Sequence, residues 1–197
     1  MLKRLFDIIL SSIALVILFP FFLIISLLVK LDSKGRVFFM AERVGKGGKV
    51  FRMFKFRTMV EGADKMGIYS TASDDKRLTR IGKFLKRFQL DELPQFINVL
   101  KGNMSVVGPR PEVKHYVDMM TEQEKDVILS VRPGITDLAS LANFHEGEML
   151  KGSKDPDRVY MEEIRPKKIE LQVKYVKEQS FILDLKIIFK TLINLFK

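Results

Sequence analysis

Between Ile8 and Val29 the chain reads IILSSIALVILFPFFLIISLLV, an apolar run without a single charged residue. That is about the length a helix needs to cross the ~30 Å hydrocarbon layer of a bilayer. The run leads through Leu27, Leu28 and Val29 into Lys30, and apolar residues resume at Val37, Phe38 and Phe39, so the small-residue cleavage site of a signal peptide is missing. Pro20 lies near the centre of the run. It lacks an N–H and its ring clashes with the carbonyl of Val16, so a kink or break is expected there. Each half, at about 1.5 Å rise per residue, reaches only about halfway through the layer. Lys3 and Arg4 before the run, and Lys30, Lys34 and Arg36 after it, draw both ends to the cytoplasmic side. A re-entrant helix-break-helix over residues 1–35 is expected, with a kinked spanning helix as the alternative. Ser11 and Ser12 offer hydroxyls to backbone groups that a bend leaves unpaired.

The remainder of the 197 residues suffices for one compact domain with its own core, placed at residues 36–180. Residues 181–197 read as a basic amphipathic helix. Phe181, Leu185, Ile188, Leu192 and Phe196 form an apolar stripe, with Lys186, Lys190 and Lys197 on another face and Asp184 interrupting it. Such a helix suits the headgroup layer as well as the domain's own core. A net charge of +10 favours anionic partners: nucleic acid, headgroups, nucleotides or phosphorylated lipids. The absence of cysteine excludes disulfides, thiolate metal sites and thiol nucleophiles. His115 and His145 are not spaced as a metal pair, and neither receives a role.

Val50 to Met59, VFRMFKFRTM, reads as an aromatic-rich strand whose period of two puts Lys55 and Arg57 on one face, about 7 Å apart, where they can grip a phosphate. VGKGGK before it lacks Walker A spacing and reads as a hairpin turn. Leu78 to Leu90 has helical periodicity at Ile81, Phe84, Leu85 and Phe88 and runs into LDELPQFINVLKGN. In that segment Asp91 suits a helix N-cap, Glu92 and Pro94 the first turn, and Gly102 the end, so Asp91 has a structural reading beside a chemical one. Neighbouring residues on a helix point about 100° apart, so Asp91 and Glu92 are expected to do different jobs. Arg110 stands between two prolines that restrict the backbone around it, which suits a phosphate clamp, and Arg132 in RPG repeats the arrangement.

The chain resembles the monotopic phosphoglycosyl transferases, or bacterial sugar transferases. The resemblance is carried by KRLFDIILS (Lys3 to Ser11), ERVGKGGKVF (Glu42 to Phe51), FKFRTM (Phe54 to Met59), RLTRIGKFLKR (Arg77 to Arg87), LDELPQFINVLKGNMSVVGPRP (Leu90 to Pro111) and RPGIT (Arg132 to Thr136). It implies an α/β, mainly helical fold at the cytoplasmic face of the bacterial inner membrane. It also implies transfer of a sugar 1-phosphate from a UDP-sugar to undecaprenyl phosphate with release of UMP, as the first membrane step of surface-glycan assembly. Asp91 matches the family's nucleophile, which forms a covalent phosphosugar intermediate and serves as ligand to Mg2+, and Glu92 completes the dyad. Arg110, Lys55, Arg57 and Arg132 match phosphate or nucleotide contacts. A family arginine five residues before the aspartate is Lys86 here, with Arg87 beside it, and either can serve. The implied partners are membrane lipid, the UDP-sugar and undecaprenyl phosphate, with a homodimer admitted and nucleic acid excluded.

The chain departs from the family at Phe19, where a serine often precedes the proline of the membrane helix, and at Gln89, where serine or threonine is common. Leu138 to Leu150, LASLANFHEGEML, matches no version of the loop tied to a particular sugar, so the donor stays open. Two rival readings are a single-strand nucleic-acid binder, from the cations and aromatics at Phe54 to Arg57, and a scaffold on acidic lipid. The first does not account for the membrane segment, and the second leaves the motifs unexplained.

Overall fold

The structure is a computed structural model that describes residues 2–143 and 146–195; His145, Phe196 and Lys197 lie outside them. It is mainly helical, with two small sheets. Helix α1 (Leu2–Asp32) leads into an antiparallel hairpin of β1 (Phe38–Val44) and β2 (Val50–Phe56). Helices α2 (Arg80–Arg87) and α3 (Gln95–Leu100) follow, joined by a 3-10 turn at Leu90–Glu92. Strand β3 (Ser105–Val107) pairs in parallel with β4 (Gly134–Thr136) across α4 (Lys114–Asp118) and α5 (Glu122–Ile128). Short helices α6 (Leu138–Ala142), α7 (Glu146–Met149) and α8 (Pro156–Val159) lead to α9 (Arg165–Glu178) and α10 (Phe181–Leu195). A π turn at Tyr160–Ile164 joins α8 to α9, whose second residue is Pro166, a residue whose missing N–H cannot serve the regular helical ladder.

The central core gathers Ala41, Met53, Val99, Met104, Val106, Val107, Tyr175 and Ile187, so the hairpin, α3, β3, α9 and α10 share one interior. Asn98, fully buried, ties α3 to the free edge of β2. Its Oδ1 accepts from Phe54 N at 2.9 Å and its Nδ2 donates to Arg52 O at 2.8 Å. This satisfies backbone groups that a two-stranded sheet leaves open.

Helix α1 runs without interruption through Pro20, so the expected separation into two helices is not seen. A proline deletes one hydrogen bond, and in an apolar stretch every remaining backbone group still needs its helical partner. Ser11 does not serve a bend either: it is fully buried and its Oγ has no partner among the described residues.

Both ends of α1 dock on the same body. At its start Arg4 donates to Val99 O (2.7 Å) and Leu100 O (3.1 Å), and buried Asp7 accepts from Ser105 Oγ (2.8 Å) and Val106 N (3.0 Å). At its end Ile25 and Val29 pack on Phe56 and Leu85, and Asp32 accepts from Ile81 N at 3.0 Å. Between these docking points Val16, Ile17, Phe19, Phe21 and Leu23 are exposed.

The expected strand ends at Phe56, so Arg57 lies beyond it. The expected α3 N-cap also differs: Pro94 occupies that position, and Asp91 sits in the preceding 3-10 turn without capping a helix. In α10, Ile187 and Asp184 are buried and Ile188 faces the core, while Ile182, Leu185, Phe189 and Leu192 form the exposed apolar stripe. Asp184 therefore does not interrupt a polar face. It accepts from Tyr175 OH at 2.7 Å and pairs with Lys3 at 2.5 Å, joining α9, α10 and α1.

Candidate active site

The site forms where the end of β2, the 3-10 turn and the loop after β3 converge. Glu92 is its structural centre. Lys55 Nζ donates to Glu92 Oε1 at 2.7 Å, Arg110 Nη1 donates to Oε2 at 2.9 Å, and Arg110 Nη2 donates to Oε1. Burial by itself raises the Glu92 pKa, but Arg110 and then Lys55 outweigh it and hold the carboxyl well below the usual range. The same pairing holds the Arg110 guanidinium above its ordinary value against burial.

Asp91, next to it, is buried, and its carboxyl makes no hydrogen bond or ion pair among the described residues. Burial raises its pKa. Lys55 opposes that rise, Glu92 adds to it, and Lys86 and Arg110 pull it back without cancelling it. The two carboxylates therefore differ in kind: one is locked and ionised, the other unengaged and desolvated. The turn that presents them begins at Gln89, whose φ of 52° is the one positive value on a non-glycine residue among those described. Holding a side-chain-bearing residue there costs on the order of 1 kcal/mol, and such strain is commonest at functional sites.

Lys86 faces this cluster and Arg87 does not. Burial lowers the Lys86 pKa, with the Asp91 charge opposing it, whereas Arg87 is exposed with its guanidinium 5.6 Å from the Phe88 ring centroid. Gly82 lets α2 sit this close, because a Cβ there would lie 1.9 Å from Thr58 O. The backbone of Arg110 is fixed as well. Its N–H donates to Asp137 Oδ2 at 3.2 Å and its carbonyl accepts from Gln172 Nε2 at 3.3 Å. Asp137 also caps α6 through Ser140 N at 2.6 Å, so a single buried carboxylate couples the Pro-Arg-Pro loop to the helix after β4.

Two expected phosphate contacts lie elsewhere. Arg57 is buried and donates to Ser33 O (2.8 Å), Val29 O (3.3 Å) and Lys34 O, closing the C-terminal end of α1, where carbonyls lack helical partners. Arg132 is exposed and donates from Nε to Gly102 O at 2.8 Å.

Several neighbours carry no sequence signal that singles them out. Arg43 of β1 is held down to about 10, first by burial and then by Arg110. Lys168 of α9 is buried and donates to Glu146 Oε2 at 3.1 Å and Tyr160 OH at 3.2 Å, while Tyr160 OH donates to Glu112 Oε1 at 3.1 Å. Burial pulls Lys168 down, yet Glu146 and Tyr160 outweigh it and hold the ammonium above its ordinary value. His115 lies outside the cluster, stacked on Tyr69 at 4.9 Å between centroids.

Among the described residues no three acidic or histidine side chains gather as a metal nest. Asp91 nevertheless offers an unengaged carboxylate. That suits Mg2+, which keeps several waters and often takes only one or two carboxylates beside substrate phosphates.

The model of the bacterial sugar transferase family matches residues 1–197. Over 193 residues and 97% of this chain, a UDP-N-acetylgalactosamine-undecaprenyl-phosphate N-acetylgalactosaminephosphotransferase of Aeromonas hydrophila is 38% identical, with 43% of its own length covered. A UDP-glucose:undecaprenyl-phosphate glucose-1-phosphate transferase of Klebsiella pneumoniae is 42% identical over 96% of this chain and 39% of its own. The chain thus spans about two fifths of the length of these relatives. An exopolysaccharide production protein, PSS, of Rhizobium leguminosarum bv. phaseoli is 38% identical over 98% of this chain and 94% of its own. With a family match from the first residue to the last, the chain belongs to the bacterial sugar transferase family.

Proposed function

We propose that the protein transfers a sugar 1-phosphate from a UDP-sugar to undecaprenyl phosphate at a membrane surface, as the opening membrane step of glycan assembly. The observation that carries this reading is the contrast within the dyad: Glu92 is neutralised by Lys55 and Arg110, while Asp91 beside it is unengaged. A carboxylate that no donor stabilises is the more nucleophilic of the two. Asp91 Oδ attacks the sugar-bearing phosphorus of the donor; the new O–P bond forms as the bond to the bridging oxygen breaks, and UMP leaves with that electron pair. An oxygen of undecaprenyl phosphate then attacks the same phosphorus, releasing undecaprenyl diphosphate sugar and restoring the Asp91 carboxylate. Lys86 and Lys55 supply positive charge where the donor phosphates approach. Arg110 holds Glu92 and keeps that side of the site cationic. Mg2+ held by Asp91 and the diphosphate oxygens would neutralise charge on the donor. The relatives' names, which include UDP-N-acetylgalactosamine, UDP-glucose and undecaprenyl phosphate, support the substrate class.

Re-entrant attachment at the cytoplasmic face of the inner membrane accompanies this chemistry. It is supported by the docking of both ends of α1 on one body with the apolar middle exposed between them, and it requires the uninterrupted helix to bend at Pro20, where one hydrogen bond is missing, rather than to separate into two helices. The exposed apolar stripe of α10 supports contact with the same surface.

The test is UMP release from a panel of UDP-sugars, with undecaprenyl phosphate and Mg2+, by the detergent-solubilised protein. At least one UDP-sugar is turned over. No release from any of the panel, in protein shown to be folded, would contradict the reading.

A further inference from the structure

At the start of α1 a cleft of about 200 Å³ opens between several elements. Lys3, Arg4 and Asp7 line it from α1, Lys46 from the tip of the hairpin, Arg132 from the loop before β4 and Tyr175 from α9. Four cations against one carboxylate make it a site for anions.

The cations differ in how they are engaged. Lys3 pairs with Asp184, Arg4 serves the carbonyls that end α3, and Asp7 is held by Ser105 and Val106. Arg132 has committed only its Nε, and the Lys46 side chain makes no hydrogen bond or ion pair among the described residues. The two Nη groups of Arg132 remain for the forked contact that phosphate oxygens accept, and Lys46 adds a mobile charge.

The cleft stands apart from the Asp91 cluster. Lys46 precedes Val50 at one end of β2 and Lys55 reaches Glu92 from the other, about 16 Å along the strand at ~3.3 Å per residue. Arg4 likewise docks at Leu100, the end of α3 remote from Glu92. Beside the cleft the surface turns apolar: Leu2, Leu5 and Ile9 of α1 and Ile182 of α10 are at least half exposed, and Phe6 meets Phe181 edge-on at 5.2 Å. A ligand with an anionic head and an apolar tail uses both features, whereas free phosphate uses only the first.

We propose that this cleft binds the phosphate diester of an anionic glycerophospholipid headgroup through Arg132 and Lys46, fixing how the start of α1 sits at the bilayer surface. The inference rests on the membrane attachment proposed above and not on the transfer chemistry, so it survives or fails independently of UMP release.

The full chain in nonionic detergent is melted with dihexanoylphosphatidylglycerol, with dihexanoylphosphatidylcholine, and with inorganic phosphate. At about ten times its dissociation constant the glycerol lipid is expected to raise Tm by roughly 3–5 °C, and the other two by much less. Lys46→Glu and Arg132→Ala should each lose at least half of that increment. Lys49→Glu, with the same charge change on the same hairpin but outside the cleft, should keep it. Equal increments from all three additives, an increment from inorganic phosphate matching the lipid's, or the same loss in Lys49→Glu as in Lys46→Glu would each overturn the proposal. Because the increment is read against each variant's own baseline, a variant of lower intrinsic stability still reports.

Discussion

Asp91 and Glu92 share a peptide bond but not an environment: Lys55 and Arg110 close on the Glu92 carboxylate, and no side chain or backbone group among the described residues hydrogen-bonds to the Asp91 carboxyl. The pair divides its contacts: the ionised Glu92 gathers the cations, and the Asp91 carboxyl beside it stays unengaged.

That division has a pH signature. Burial raises the Asp91 pKa above the ordinary 3.8, so its reactive form is lost as pH falls through the raised value. The acid limb of kcat/KM should therefore lie above pH 3.8. Glu92 moves the other way, its folded pKa lying below the ordinary 4.5. Its stabilising ion pairs are complete above pH 4.5 and are lost progressively as pH falls from there toward the lowered folded value. Thermal melting against pH should show that loss in the wild type, and Glu92→Gln should remove it.

The two basic residues at the end of α2 are separable. Lys86 faces Asp91 and Arg87 is exposed. Lys86→Met is expected to lower kcat/KM by about 10²-fold, and Arg87→Met by less than about threefold. Steady-state kinetics on the same UDP-sugar decides. Equal losses would contradict the assignment.

Arg57 serves the fold. Its guanidinium closes three carbonyls at the end of α1, and Gly35 leaves room for it, since a Cβ there would lie 2.5 Å from Arg57 Nη1. Arg57→Ala strands buried acceptors and should cost about 2–4 kcal/mol, read as a fall in the denaturation midpoint, with kcat of the folded fraction within a few fold of wild type.

The topology can be read by labelling, because the chain has no native cysteine. Leu2→Cys and Lys34→Cys should both resist a membrane-impermeant thiol reagent applied to intact cells and react after lysis. Labelling of Leu2→Cys from outside would mean a spanning helix.

Much of this architecture was legible because it rests on local chemistry. The apolar run, the hairpin at VGKGGK and the helical periodicity before LDELPQ all have close counterparts in α1, the β1–β2 hairpin and α2. The misreadings came where local logic admitted two outcomes. Asp91 is a good capping residue by type, but the αL turn at Gln89 carries the chain into a 3-10 turn and Pro94 takes the cap position. A strand period placed Arg57 beside Lys55, yet β2 stops one residue earlier and the guanidinium turns to α1. Periodicity puts Ile188 in one apolar stripe with Leu185 and Leu192 that suits the headgroup layer and the core alike, and only tertiary packing turns Ile188 to the core while Leu185 and Leu192 stay exposed. Arg43, Asp137, Glu146, Lys168 and Gln172 come from β1 and from segments after β4, and no spacing in the sequence relates them to Asp91. Folding alone brings them around Arg110, which in turn holds Glu92.

The central claim is that Asp91 carries the phosphosugar. Its most direct test is intact-protein and peptide mass spectrometry after mixing the chain with a UDP-sugar it turns over and Mg2+, without undecaprenyl phosphate. The account predicts a burst of about one UMP per chain, a mass increase of one sugar phosphate located on the Asp91 peptide, and neither in Asp91→Asn. UMP release that requires the acceptor, with no adduct at any time, or wild-type turnover by Asp91→Asn, would contradict it.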